Sequence, residues 1–146
     1  MTEGAHGIGI RNDQMLKDTA VETSDVMFLP GGGPGTENLK ACEKLSSMLL
    51  RHAAAGGRIA AICAAPSALG VLGLLKGKRA TCYPGFEGQL IGAECCTDPV
   101  VTDGMITTSR GMGTAVYLGL ELISLLVSEK AAHKIGVSIM LPEFNQ

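Results

Sequence analysis

Cys63 is the residue whose type and setting best suit it for chemistry. The apolar run at residues 58–62 predicts a buried strand, and Pro66 suits the first turn of a following helix. Cys63 then stands in a sharp turn between strand and helix, as in a nucleophile elbow, and its small neighbours Ala61 and Ala64 permit that turn. The start of a helix also favours the thiolate, the nucleophilic form of cysteine. A small buried apolar cysteine is the alternative interpretation.

The remaining cysteines and the histidines predict neither a second nucleophile nor a metal site. None of these cysteines links a strand to a helix, so we interpret them as small buried residues: Cys42, Cys82, Cys95 and Cys96. They form no CxxC pair and lie far in sequence from any histidine, so no zinc site is expected. We interpret His52 as a residue on the flank of a helix, and His133 has no evident partner.

The glycine-rich segment at residues 31–35 invites comparison with phosphate-binding loops. Neither GxGxxG nor GxxxxGKS/T can be aligned to it, and no lysine follows at the required place. We therefore predict a tight turn and no nucleotide cofactor. Its glycine amides can still point into a cleft at the carboxyl end of the preceding strand.

Strand and helix patterns alternate through the first half of the chain. They predict a strand at residues 25–29, a helix at 39–53, the strand at 58–62 and a helix from Pro66 to about residue 75. Thr36 or Asn38 can cap the first of these helices, and Gly56 ends it.

The second half of the chain continues the alternation with shorter elements. It predicts a strand at residues 79–83, a hairpin formed by 99–101 and 105–108, and a helix at 114–128. This last helix is apolar nearly all round, so we expect it to be buried. The whole pattern predicts an α/β fold with an open sheet and helices on both faces.

Composition narrows the classes of function. The chain has 146 residues and a net charge of -2, with 46% apolar, 18% charged and 3% aromatic residues. This size fits one domain, and the charge and aromatic content argue against a nucleic-acid partner. The low charged fraction favours a buried self-association surface. No apolar stretch is long enough to span a membrane, and unpaired cysteines without a signal peptide predict a cytoplasmic protein.

Three segments closely resemble the ThiJ/PfpI superfamily: residues 25–32, 60–66 and 108–115. Residues 4–8 and 82–87 resemble its bacterial branch, and the likeness extends from about residue 4 to 141. The resemblance implies a flavodoxin-like three-layer sandwich with a mostly parallel sheet, similar to class I glutamine amidotransferases. It also implies one domain over residues 1–146, usually assembled as a homodimer.

The resemblance also implies a site. Cys63 would be the reactive thiol, and the amides of Gly32 and Ala64 would form its oxyanion pocket. Three further positions would border the site or the dimer interface: Gly31, Tyr83 and Arg110. Tyr83 stands where the family often has a histidine, and Ala64 stands where the protease-like branch has one, so a peptidase is not expected. Nor is an amidotransferase, because His133 is followed by no glutamate at the required spacing.

The activity implied is a cofactor-free, glyoxalase-type hydration of 2-oxoaldehydes, or repair of glycation adducts. The alternative is a non-enzymatic oxidative-stress sensor or chaperone that acts through oxidation of Cys63. Family members begin with a strand ending in a Gly-Phe-Glu-Glu type motif, whose glutamate serves as acid and base. We expect this chain to lack that first strand, and Glu3 is misplaced as a substitute. Turnover would then depend on a glutamate supplied from elsewhere.

Overall fold

The computed structural model describes residues 1–4, 6–19 and 24–144 of the chain. The strands are β1 (Thr2–Glu3), β2 (Gly9–Ile10), β3 (Val26–Leu29), β4 (Arg58–Ile62), β5 (Arg79–Ala80), β6 (Glu94–Cys95), β7 (Val100–Asp103) and β8 (Ile106–Ser109). The α-helices are α1 (Gly33–Ala41), α2 (Glu43–Ala54), α3 (Pro66–Val71), α4 (Ala115–Leu126) and α5 (Glu129–Ser138).

The central sheet has four strands in the order β3-β4-β8-β7. β4 lies parallel to both β3 and β8, while β7 and β8 form an antiparallel hairpin. The predicted α/β fold with a mostly parallel sheet and the predicted hairpin are therefore confirmed. Two short pairs, β1–β2 and β5–β6, lie outside this sheet.

Helices cover both faces of the sheet. On one face, Leu49 of α2 and Leu69 of α3 join Ile59 and Ile106 in the apolar core. Each such leucine contributes about 1.5–3 kcal/mol through burial. Side chains alternate along a strand, so Thr107 faces the other side. There the Thr107 hydroxyl forms a hydrogen bond with the Thr102 hydroxyl, which donates to the Glu121 carboxylate of α4 at 2.7 Å. Helix α5 packs against α4 on this face.

The predicted helix at residues 39–53 is wrong as a single element. The chain forms α1 and α2, separated at Cys42, which has extended backbone angles. α1 begins earlier than predicted because Gly32 adopts φ +96° and serves as its N-cap. Thr36, expected as a cap, instead lies buried inside α1.

Other predicted bounds also change. α3 ends at Val71 rather than near residue 75, because Gly73 takes a left-handed conformation (φ +76°) that interrupts the helix. The strand predicted at residues 79–83 is present only as the two-residue strand β5, and the sequence did not reveal its partner β6.

Helix α4 is present as predicted but is mostly not buried, since Leu118 and Leu120 are its only buried residues. Helix α5 was not predicted; Ser128 caps it by accepting a hydrogen bond from the Ala131 amide.

In the structure, His52 has a hydrogen-bond partner and His133 packs against an aromatic ring. His52 is buried, and its Nε2 atom lies 3.0 Å from the carbonyl oxygen of Arg58, so its interpretation as a flank residue is wrong. The ring of His133 packs at 5.5 Å from that of Phe144. Within the described ranges, no helix has the length and apolar character to cross a bilayer.

Candidate functional site

The carboxyl ends of β3, β4 and β8 meet at one edge of the sheet. Leu29 is in register with Ala61, and Ala61 is in register with Thr108. The turns that follow these strands therefore lie side by side, at the edge where open α/β sheets usually bind ligands. Gly31 and Cys63 both lie in these turns.

Cys63 occupies the sharp turn expected from the sequence. Its φ angle is +65°, a left-handed conformation that non-glycine residues rarely adopt. Hydrogen bonds hold the turn on both sides: the Cys63 amide donates to the Ser109 carbonyl, and the Tyr83 amide donates to the Cys63 carbonyl, each at 2.9 Å. The thiol is half-buried. The turn thus fixes a partly accessible sulfur at the sheet edge.

The helix after Cys63 supports the thiolate less than the sequence suggested. α3 has six residues and its N-cap is Ala65, two residues beyond Cys63. The field of a helix end falls off within one turn, so a short helix starting this far away acts weakly on the sulfur.

Gly31 lies directly against this turn. A Cβ atom at position 31 would lie 2.5 Å from the Cβ of Cys63, 2.9 Å from the carbonyl oxygen of Ile62 and 3.3 Å from the Cys63 sulfur. Contacts under 3.0 Å to backbone cannot be relieved by a side-chain rotation. Glycine is therefore required for the close approach of the two turns.

Two backbone amides in the turns around Cys63 make no backbone hydrogen bond. In the described part of the chain, the amides of Gly32 and Ala64 donate to no backbone carbonyl. Ala64 is 2% exposed, so its amide lies in a site largely shielded from water. Backbone N–H groups without a partner are the kind of donor that stabilises a developing oxyanion, the role that the family resemblance implies for them.

Tyr83 and Arg110 border the turn in different ways. Besides its backbone bond to Cys63, Tyr83 places its half-exposed ring over Gly111, where a Cβ atom would lie 3.3 Å from Cδ2. Arg110 follows β8, and its amide donates to the Pro99 carbonyl at 3.1 Å. The positive charge of its side chain acts on Cys82.

Cys82, the buried residue before Tyr83, is not a second nucleophile. Burial raises the pKa of its thiol to about 11, and the neighbouring Glu87 and Cys95 raise it further. Arg110 and a backbone hydrogen bond from Phe86 oppose it. The thiol is therefore protonated at neutral pH, which confirms its interpretation as a buried apolar residue.

Two other cysteines differ from the sequence-based interpretation. Cys95 is exposed and Cys96 is half-buried, so describing them as buried is wrong. Both lie on or next to β6, a strand that the sequence did not reveal. Cys42 is likewise half-buried, at the break between α1 and α2.

The described residues supply no evident proton shuttle for Cys63. No side chain in residues 1–4, 6–19 or 24–144 hydrogen-bonds its sulfur. Glu87, which sequence reasoning did not single out, accepts from the Gly85 amide at 2.7 Å and lies near Cys82. Nor do three metal-ligating side chains cluster anywhere in these ranges.

A separate cleft of about 450 Å³ lies between α4, α5 and the start of β7. Tyr117, Glu121 and His133 are among its lining residues, and none of the predicted site residues is. This cleft is therefore not part of the candidate site around Cys63.

Comparisons with known proteins bear on the family and the fold of the chain. Residues 1–125 match the DJ-1/PfpI family. Protein DJ-1 homolog B of Arabidopsis thaliana is 43% identical over 145 residues, which cover 96% of this chain and 33% of the relative. The glutathione-independent glyoxalase DJR-1.2 of Caenorhabditis elegans is 34% identical over 84% of this chain and 66% of its own length.

Solved structures confirm the flavodoxin-like α/β fold. Oxidized Toxoplasma gondii DJ-1 superposes with a TM-score of 0.88 at 34% identity, covering 94% of this chain and 76% of that one. This chain therefore spans about a third of the length of its plant relative and about three quarters of that structure.

Proposed function

Because the chain belongs to the DJ-1/PfpI family, we propose that it is a cofactor-free cysteine enzyme that converts 2-oxoaldehydes into 2-hydroxy acids. The observation that carries the proposal is Cys63, held at φ +65° at the carboxyl edge of the sheet beside two unpaired amides. The glyoxalase name of the Caenorhabditis elegans relative supports this substrate class. Repair of early glycation adducts would use the same thiol and the same pocket.

The chemistry starts with addition of the Cys63 thiolate to the aldehyde carbon, which gives a hemithioacetal. The amides of Gly32 and Ala64 hold the oxygen that becomes negatively charged. A carboxylate then moves the proton from the aldehyde carbon to the neighbouring ketone carbon through an enediolate. The aldehyde carbon is thereby oxidised to a thioester while the ketone is reduced to an alcohol. Water releases the 2-hydroxy acid and restores the thiol, so no outside oxidant is needed.

The surrounding residues have supporting roles in this proposal. Gly31 lets the turn after β3 approach the sulfur, and Tyr83 fixes the Cys63 carbonyl through its amide. Arg110 contributes positive charge near Cys82. The proposal assigns the carboxylate to the glutamate that the family resemblance implies. The free thiols among the described residues fit the reducing, cytoplasmic setting that we propose.

The test is production of lactate from methylglyoxal. We expect the protein, supplied with the glutamate-bearing segment, to form lactate, Cys63→Ser to form none, and Cys95→Ser to match the parent. Cys95 is a suitable control because it is an exposed cysteine outside the site. Equal lactate formation by the parent and Cys63→Ser would contradict the proposal.

The second candidate is a redox sensor that acts through oxidation of Cys63. The oxidized state of the similar Toxoplasma gondii structure favours it. A half-buried thiol in a strained turn can be oxidised to sulfinate, with hydrogen peroxide as oxidant. Absence of lactate, together with a peroxide-induced mass increase on Cys63, would favour this function over the enzymatic one.

A further inference from the structure

The loop at residues 109–114, between β8 and α4, holds the Cys63 turn at two points. The Ser109 carbonyl accepts a hydrogen bond from the Cys63 amide at 2.9 Å. Gly111 lies against the ring of Tyr83, whose amide donates to the Cys63 carbonyl at 2.9 Å. The loop therefore acts on both hydrogen bonds that flank the +65° φ angle of Cys63, on one directly and on the other through the packing of Tyr83.

The hydroxyl of Thr114 ties these two points of the loop together. Its Oγ1 atom lies 2.7 Å from the Ser109 hydroxyl oxygen and accepts a hydrogen bond from the Gly111 amide at 3.0 Å. It also lies 2.8 Å from the Gly111 carbonyl oxygen. One side chain thus contacts both of the loop residues that hold the Cys63 turn.

The network around Thr114 is anchored in regular structure. Ser109 is the last residue of β8 and is fully buried, and its hydroxyl oxygen lies 2.8 Å from the carbonyl oxygen of Pro99, just before β7. Thr114 directly precedes α4. The hydrogen bonds of such a network reinforce one another in a buried setting, so the loop is held as a unit.

We propose that Thr114 is a positioning residue for Cys63, on which it acts through Ser109 and Gly111. Without its hydroxyl, the Ser109 hydroxyl and the Gly111 amide each lose a partner, so the loop holds the Cys63 turn less firmly. A left-handed conformation at a non-glycine residue persists only where the surrounding structure enforces it. The inference rests on the proposed function in taking Cys63 as the reactive thiol, and it assigns Thr114 no contact with the substrate.

The experiment measures amide hydrogen exchange by NMR in variants of the whole chain. The readout is the exchange rate of the Cys63 amide divided by that of the Ile59 amide, which donates to the Met105 carbonyl at the other end of β4. A loss of overall stability raises both rates, so the ratio reports local opening of the Cys63 turn. Thr114→Val, which replaces the hydroxyl by a methyl group, should raise the ratio at least about threefold. Thr114→Ser keeps the hydroxyl and should leave the ratio near that of the parent.

Thr102→Val is the matched control. The Thr102 hydroxyl also takes part in two side-chain hydrogen bonds, with Thr107 at 3.1 Å and with Glu121 at 2.7 Å, both outside the 109–114 loop. This variant should lose stability without a change in the ratio. If Thr114→Val does not fold, Ser109→Ala removes the partner hydroxyl and should raise the ratio in its place. An unchanged ratio in the folded variant, or an equal rise in Thr102→Val, overturns the proposal.

Lactate formation from methylglyoxal separates this inference from the proposed function. With the glutamate-bearing segment supplied, Thr114→Val should lower kcat by about three- to tenfold and leave KM nearly unchanged, because the nucleophile is aligned less often. Thr114→Ser should keep the kcat of the parent. An unchanged kcat in Thr114→Val, with an active parent, overturns the positioning role and leaves the proposed function intact. A parent that forms no lactate contradicts the proposed function, while a raised exchange ratio in Thr114→Val still supports the positioning of Cys63.

Discussion

Cys63 holds a backbone conformation that costs about 1–3 kcal/mol for a non-glycine residue. Two other segments help to maintain it, because the Cys63 amide donates to the carbonyl of Ser109, the last residue of β8, and the Tyr83 amide donates to the Cys63 carbonyl. A constrained backbone fixes the direction of the Cα–Cβ bond of Cys63, which helps to position an attacking nucleophile. The strain and the reactivity that we propose therefore have the same structural origin.

The cysteine in the elbow could be found from the sequence, but its neighbours could not. An apolar strand, a small-residue turn and a proline follow each other directly around Cys63, so a local pattern was sufficient. Cys82, Glu87 and Cys95 meet only because separate segments fold together.

Gly31 should not tolerate even one methyl group. Gly31→Ala should reduce the free energy of unfolding by about 1–3 kcal/mol, because the new Cβ would overlap Cys63 and the Ile62 carbonyl. It should also slow alkylation of Cys63. Gly33→Ala is the matched control, since no atom lies within 4 Å of a Cβ there, and its stability should be unchanged or slightly higher. Urea denaturation measures the free energy of unfolding of each variant. Equal stabilities of Gly31→Ala and Gly33→Ala would contradict the packing argument.

Cys82 should make stability depend on pH in the alkaline range. The folded protein holds the thiol proton more tightly than the unfolded chain, since burial raises the pKa from 9.0 to about 11. This stabilisation is complete below pH 9 and is lost as the pH rises towards 11, by roughly 2 kcal/mol. Urea denaturation between pH 8 and 11 should show a shallower pH dependence in Cys82→Ala than in the parent. Cys42→Ala should keep the slope of the parent.

At the level of elements, the sequence located the sheet better than the helices around it. β3 and β4 are apolar runs bounded by turn residues, and the Asp103-Gly104 turn marks the β7–β8 hairpin, so their positions were predictable. The break between α1 and α2 has no glycine or proline at Cys42 to signal it. β6 has only two residues and α5 has a mixed surface, so neither gives a clear periodic signal.

The exposed side of α4 bears on assembly of the whole molecule. The sequence predicted a buried helix because its residues are apolar nearly all round, yet Val116 is 46% exposed. Met112, just before this helix, is 91% exposed, and Tyr83 beside it is half-exposed. A second copy of the chain would cover this patch, which adjoins the candidate site.

We therefore expect a dimer at micromolar concentration. Sedimentation should give a species of about twice 15.1 kDa. Met112→Glu should shift it towards monomer, because dimerisation would bury an unpaired charge. Met140→Glu, which alters an exposed methionine after α5, should leave it a dimer. A monomer in the parent would leave the apolar face of α4 without an explanation.

β3 is the edge strand of the central sheet among the described residues, and this edge is unusually apolar. Phe28 in its middle is 49% exposed, and a groove of about 220 Å³ beside it is lined by Val26, Leu45 and Met48. An unpaired apolar edge favours pairing with another strand or aggregation. We expect that joining an N-terminal strand with a Gly-Phe-Glu-Glu type motif ahead of Met1 raises the melting temperature and reduces aggregation.

Variants of the same added strand distinguish its effect on stability from its effect on catalysis. With its glutamate intact, it should also raise lactate production, by the roughly 10²–10⁴-fold that a general acid–base group contributes. Changing that glutamate to glutamine should keep the higher melting temperature but remove the gain in turnover, because the strand still pairs with β3 while the proton shuttle is gone. A scrambled strand should give neither effect. If residues 1–146 alone melt at the same temperature and form lactate as fast as the extended chain, then the edge of β3 needs no partner and the proton shuttle lies within this sequence.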